Sequence, residues 1–174
     1  MKRIISSLAL LFGTCLASFA QTDSFTKFYG SCNISFAGPK LNTKLEAFAF
    51  RSLGIELGYR LTDRFSVFIP VSADMQLLNV RTTKNFNETG TVGLGATYAI
   101  PLSSFSFLEP VLACSTTFLK TDFNYFTHKY ELRWSTNVSH FRPFVGLGVQ
   151  HVRFYDYEPT SDMKQIYLSL GIRL

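Results

Sequence analysis

A chain of 174 residues with a formal charge of +5 is sized for one domain of ordinary dimensions. Its 17 Lys and Arg form no basic run and no basic–aromatic cluster, which argues against a nucleic-acid partner. Aromatic residues make up 16% of the chain, 18 of them Phe, a composition suited to a structure that exposes apolar surface to lipid.

Residues 1–20 read as an export signal. Lys2 and Arg3 precede an apolar run from Ile4 to Leu16, and Ser18-Phe19-Ala20 puts small residues at the two cleavage-determining positions. The run is shorter than the roughly 20 residues that a membrane helix needs. Cys15 raises a lipoprotein signal as a competitor. Phe12-Gly13-Thr14 fits that signal poorly, so cleavage is expected before Gln21, leaving residues 21–174 as one domain. No apolar run in that domain is long enough for a transmembrane helix.

From there the period of the chain is two, as in strands, whose successive side chains point to opposite faces. The first predicted strand alternates Phe28, Gly30, Cys32, Ile34 and Phe36 with Lys27, Tyr29, Ser31, Asn33 and Ser35. The second alternates Leu53, Ile55, Leu57, Tyr59 and Leu61 with Ser52, Gly54, Glu56, Gly58 and Arg60. In the third, Phe65 through Leu77, every odd position is apolar, while Ser66, Ser72, Asp74 and Gln76 fall among the even ones. Pro70 lies mid-strand, where its missing donor predicts a bulge or a broken ladder bond. The fourth strand carries Val92, Leu94, Ala96, Tyr98 and Ile100. The fifth is weaker, on Leu108, Pro110, Leu112, Cys114 and Thr116. The sixth sets Tyr130, Leu132, Trp134, Thr136 and Val138 against Lys129, Glu131, Arg133, Ser135 and Asn137. The seventh runs on Pro143, Val145, Leu147, Val149 and His151, and the last on Ile166, Leu168, Leu170, Ile172 and Leu174.

Eight strands follow, joined by tight turns at Thr62-Asp63-Arg64, Pro101 to Ser104 and Ser139-His140. Longer polar links are expected at 37–47, 79–88, 120–127 and 153–162. Short connections on one side and longer ones on the other describe an up-and-down antiparallel transmembrane β-barrel with both termini at the short-turn, periplasmic end. Alternation alone does not say which face is buried, and a soluble lipocalin-like barrel holding a ligand inside is the competing arrangement. Two features favour apolar outside. The polar stripes are rich in Gly, which suits the narrow lumen of eight strands. The predicted strands reach roughly 11 residues, the length of a tilted bilayer crossing.

Gly58-Tyr59-Arg60-Leu61-Thr62-Asp63-Arg64-Phe65-Ser66 resembles the strand–turn–strand element of small OmpA/OmpX-like outer-membrane barrels. Phe141-Arg142-Pro143-Phe144-Val145-Gly146-Leu147-Gly148-Val149 is similar to their aromatic, Pro, alternating-Gly strand. Ile166 to Leu174 resembles the C-terminal strand that barrel-assembly machinery recognises, departing from it in ending on Leu174 rather than an aromatic. The resemblance covers nearly the whole exported part. It implies localisation in the Gram-negative cell outer membrane, contact with outer-membrane lipid and lipopolysaccharide, and engagement of the barrel-assembly machinery; a monomer is expected.

Candidate site residues divide by position. Glu56, Arg60, Asp74, Glu131, Arg133 and Arg173 share the inner parity, and the expectation is a lumen polar network in which Glu56, Glu131, Arg60 and Arg133 form buried ion pairs, since unpaired buried charges are costly. Tyr59, Phe65, Tyr98 and Phe141 flank the short turns and make a candidate periplasmic aromatic girdle. Arg153, Tyr155 and Tyr157 are candidates for surface contact, and Lys40, Lys44, Arg81 and Lys84 for lipopolysaccharide phosphates. Cys32 and Cys114 fall on strands on opposite sides of the barrel, beyond the roughly 7 Å Cα separation of a disulfide, so two separate lipid-facing thiols are expected. His128, His140 and His151 show no spacing to a nucleophile and an acid, and no His/Cys/acid cluster has metal-ligand spacing. The expectation is a non-catalytic protein without metal or cofactor, having a structural or surface-interaction role and a side-chain-filled lumen. A narrow porin-like channel and a lipid A-modifying barrel enzyme remain as alternatives beside the soluble barrel.

Overall fold

The computed structural model describes residues 27–42, 46–80, 83–118, 124–138, 141–155 and 163–174, with the backbone alone at 38–42, 46–50, 76–80 and 83–87. The strands are β1 (Phe28–Asn42), β2 (Glu46–Arg60), β3 (Phe65–Val80), β4 (Thr83–Tyr98), β5 (Ser106–Thr117), β6 (Tyr125–Thr136), β7 (Arg142–Phe154) and β8 (Met163–Arg173). A two-residue piece, Ile100–Pro101, continues β4 past Ala99 and pairs with β5 in the register that β4 already holds. Each strand pairs antiparallel with the next, and β1 pairs antiparallel with β8, which closes the barrel. Followed from Phe28 through Tyr59, Val67, Ala96, Leu112, Tyr130, Val149 and Ile166, the pairing returns to β1 beyond Ala37, about ten residues on, the stagger that tilted barrel strands require.

The alternation sorts the faces in one sense throughout. Leu94, Leu57, Leu132, Trp134 and Leu147 are exposed on the outside, Leu94 to 71% of its surface. Glu56, Glu131, Arg133, Ser35 and Ser169 are buried inside. A soluble barrel would have to leave these large apolar side chains in water, each at roughly 1.5–3 kcal/mol relative to burial. In hydrocarbon that cost vanishes, and the closed ladder leaves no backbone edge unpaired there. The arrangement is that of a transmembrane barrel, not of a lipocalin-like one. A charge on the belt tests this. Leu94→Arg is expected to weaken folding in lipid vesicles by about 2–4 kcal/mol, as for a charge near the bilayer midplane. A change within about 0.5 kcal/mol, ordinary for a water-exposed position, would contradict the lipid-facing assignment.

One sequence expectation is corrected. The polar stretches 37–47 and 79–88 are mostly strand: β1 runs to Asn42 and β2 starts at Glu46, while β3 runs to Val80 and β4 starts at Thr83. Side-chain alternation stops where strands rise above the apolar belt, but the backbone ladder continues, with register shifts after Ala37 in β1 and between Ala47 and Ala49 in β2. Of the two outcomes expected at Pro70, the structure shows the broken ladder and not the bulge. Pro70 stays in register with Glu56 on β2, and the β3–β4 ladder skips the rungs between Phe68/Gly95 and Val71/Val92 without changing register. The lost donor interrupts hydrogen bonding and leaves strand spacing intact.

At the short-turn end the Thr62 hydroxyl accepts from the backbone N–H of Phe65 at 2.9 Å, the side-chain turn that Thr-Asp-Arg favours. Cys32 and Cys114 form no disulfide, and Cys114 is exposed on the outer face.

Candidate functional site

Arg133 on β6 stands at the centre of the lumen. Its Nη1 and Nη2 donate to the two oxygens of Glu56 on β2 at 2.9 and 2.5 Å, and its Nε donates to Glu131, two residues away on the same face, at 2.9 Å. Ser31 and Asn33 on β1 complete Glu56 at 2.8 and 3.3 Å. Tyr167 donates to Glu131 at 2.9 Å, and Ser169 donates to it as well. The guanidinium lies 4.5 Å from the Phe144 ring centroid. Room for this comes from Gly146, the register partner of Arg133: a Cβ there would strike the Glu131 carboxylate and the Ser169 hydroxyl. The other inward glycines serve the same geometry. Gly58 lies beneath Tyr29, Gly95 beneath Phe68, and Gly171 beneath Phe144, each pair facing across one ladder.

A second cluster occupies the short-turn end. Glu109 on β5, fully buried, takes two bonds from Arg173 at 2.8 and 3.2 Å, one from Arg142 at 3.2 Å and one from the Ser135 hydroxyl at 2.8 Å. Arg142 also donates to Asn137 at 2.7 Å and lies 4.4 Å from the Phe107 ring. Toward the opposite end Asp74 accepts from Ser72 at 2.8 Å and Tyr125 at 2.7 Å, and Gln150 donates to Gln165 at 3.0 Å.

The single network expected from sequence is therefore three separate groups. Glu56, Glu131 and Arg133 come together. Arg173 joins Glu109 instead, Asp74 is held by hydroxyls, and Arg60 makes no ion pair among the described residues, lying 5.9 Å from the Tyr29 ring. Glu109 and Arg142 were not singled out from sequence, although both have the inner parity, Glu109 between Leu108 and Pro110 and Arg142 before Pro143. Their pairing could not be read there, because Glu109 and Arg173 are 64 positions apart.

Space inside is small. A cavity of about 40 Å³ lies beside Glu56, Glu131, Arg133, Lys129, Tyr167 and Pro70. A water needs roughly 10–15 Å³ on this measure, so the cavity takes a few waters and no larger solute.

On the outer face Tyr59, Phe65, Tyr98 and Phe141 all lie at the short-turn end, with Phe65 and Tyr98 opposite each other on β3 and β4. Phe28 packs edge-on to Tyr59 at 4.9 Å. Trp134 joins this level, its indole N–H donating to the Ser106 hydroxyl at 2.8 Å, the polar handle of an otherwise apolar ring system. Toward the other end Cys114 Sγ lies 3.3 Å from His128 Nδ1, and the His128 and His151 rings stack at 6.1 Å across β6 and β7. Sequence spacing missed this row because its members face each other across strands. No group of three or more His, Cys, Asp or Glu among the described residues is placed to hold a metal. Arg153 and Tyr155 are exposed at the end of β7. Tyr157, His140, Lys44, Arg81 and residues 1–20 lie outside the described residues, as do the side chains of Lys40 and Lys84.

No protein-family model matches the chain, and no curated protein matches it. Solved structures do. The outer membrane protein OprG from Pseudomonas aeruginosa is 10% identical with a TM-score of 0.54, covering 85% of this chain and 95% of that one. Neisserial surface protein A (NspA) is 15% identical with a TM-score of 0.53, over 86% of this chain and 97% of that one. Outer membrane protein AlkL, solved in lipid bilayers, is 12% identical with a TM-score of 0.51, over 88% and 92%. At these identities the likeness is one of fold: a closed eight-stranded transmembrane barrel.

Proposed function

We propose that this chain, which has the fold of the small outer-membrane β-barrels, is an integral protein of the Gram-negative outer membrane with a structural or surface-interaction role and no catalytic activity. Residues 1–20 act as the export signal in this reading, and the barrel contacts outer-membrane lipid and lipopolysaccharide as a monomer after assembly by the barrel machinery. The short-turn end then faces the periplasm. The observation that carries the filled-lumen part is the Arg133–Glu56–Glu131 cluster, which spans the interior from β2 to β6 and leaves a cavity sized for water. The surface-interaction part draws support from Arg153 and Tyr155, exposed where β7 leaves the belt.

Planar-bilayer recording tests the plugged lumen. The purified barrel is expected to insert without steady unitary currents. Reproducible single-channel steps that change size in Arg133→Ala would overturn the plug and favour the narrow-channel reading.

A further inference from the structure

Charge is unevenly layered along the lumen. In the middle, Glu56 and Glu131 face Arg133, with Lys129 lining the same cavity. At the short-turn mouth Arg142 and Arg173 pair with Glu109, the one carboxylate in ion-pair contact with either among the described residues, and Arg60 and Arg173 share the Tyr29 ring, at 5.9 and 4.8 Å from its centroid. Arg173 is 6% exposed, and its Nε is buried without a hydrogen-bond partner while its two terminal nitrogens hold Glu109. A buried, unsatisfied donor on a charged group is unfavourable unless something accepts from it. Arg142 keeps 23% of its side chain in contact with solvent. Tyr29 and Phe107 supply aromatic faces beside Arg173 and Arg142 at 4.8 and 4.4 Å, which restrict where the two guanidiniums can point.

We propose that this mouth is a binding site for a small oxyanion, phosphate being its simplest member, held by Arg60 and Arg142 from the solvent side. Guanidinium forks match the paired oxygens of phosphate, and several charge-assisted bonds can form at once. The site lies outside the Arg133 cluster, so it stands whether or not the lumen conducts. The same phosphate chemistry could arrive as a soluble ion or as the headgroup of a lipid in the adjacent leaflet.

The test uses the refolded barrel in an uncharged sugar-based detergent, titrated with inorganic phosphate by calorimetry. Saturable binding is expected, weakening as chloride is raised. Arg60→Gln removes a group that makes no ion pair and leaves the fold intact, as heat-modifiable gel migration would verify. It is expected to lower phosphate affinity about tenfold, the loss of one hydrogen bond to a charged group. Arg142→Gln is expected to do the same. A second arm repeats the titration in phospholipid nanodiscs: unchanged phosphate binding identifies a soluble oxyanion, and abolished binding identifies a lipid phosphate already seated there. Absence of saturable binding in detergent would overturn the proposal, as would affinity unchanged in both Arg60→Gln and Arg142→Gln.

Discussion

Arg133→Met is expected to destabilise the barrel by about 3–5 kcal/mol, because it strands two buried carboxylates that share one guanidinium. Glu56 would keep only Ser31 and Asn33, and Glu131 only Tyr167 and Ser169, all of them neutral donors. Equilibrium unfolding by urea in phospholipid vesicles measures the effect, with the single tryptophan, Trp134, as a fluorescence reporter at the short-turn level of the belt. The intact cluster is not thereby a large source of stability. Burying three charges costs nearly what their pairing returns, so Glu56→Gln and Glu131→Gln added to Arg133→Met are expected to recover most of the loss. A loss below about 1 kcal/mol from Arg133→Met alone, comparable to an exposed ion pair, would mean that water screens the cluster and that the lumen is wetter than its cavity indicates.

Gly171→Val is the second large effect. Gly171 sits on β8 with Asn33 of β1 on one side and Phe144 of β7 on the other, at the seam that closes the barrel. A Cβ there would strike the Phe144 ring and the backbone carbonyl of Cys32. Overpacking ordinarily costs about 1–3 kcal/mol. Here one of the two obstacles is backbone in a closing ladder, which cannot rotate away, so the cost should reach the top of that range or exceed it. The expected result is a reduced heat-modifiable fraction after refolding, not restored by Phe144→Ala, since the Cys32 carbonyl remains. Gly54→Ala is the contrasting case. Its Cβ would meet the Asn33 amide oxygen at 2.7 Å, the far end of a side chain that can swing aside. Equal refolding of Gly171→Val and wild type would show that the β1–β8 seam is looser than the ladder implies.

Part of this molecule was legible along the chain and part was not, and the division follows the range of the interactions. Alternation is a local property, set by the pleat, so residues such as Leu57 and Glu56 were assigned to opposite faces from sequence and lie there in the barrel. The eight strands and the short turns follow from the same period with their turn residues. Strand ends were misread at 37–47 and 79–88 because above the lipid belt nothing requires one face to be apolar, while the ladder continues regardless. The Cys114–His128–His151 row and the Glu109–Arg173 pair were invisible for a different reason. They depend on register, and register is set only when all eight strands close at a common stagger.

The two-residue period thus carries eight strands, the residues that share each face, and charges of both signs on the polar one. Tertiary structure decided which face is inside, which charges meet, and how much room remains among them. The physical reason is that a two-residue period is encoded strand by strand, whereas Arg133 finds Glu56, and Arg60 is left with no acid in ion-pair contact among the described residues, only through the closed circumference.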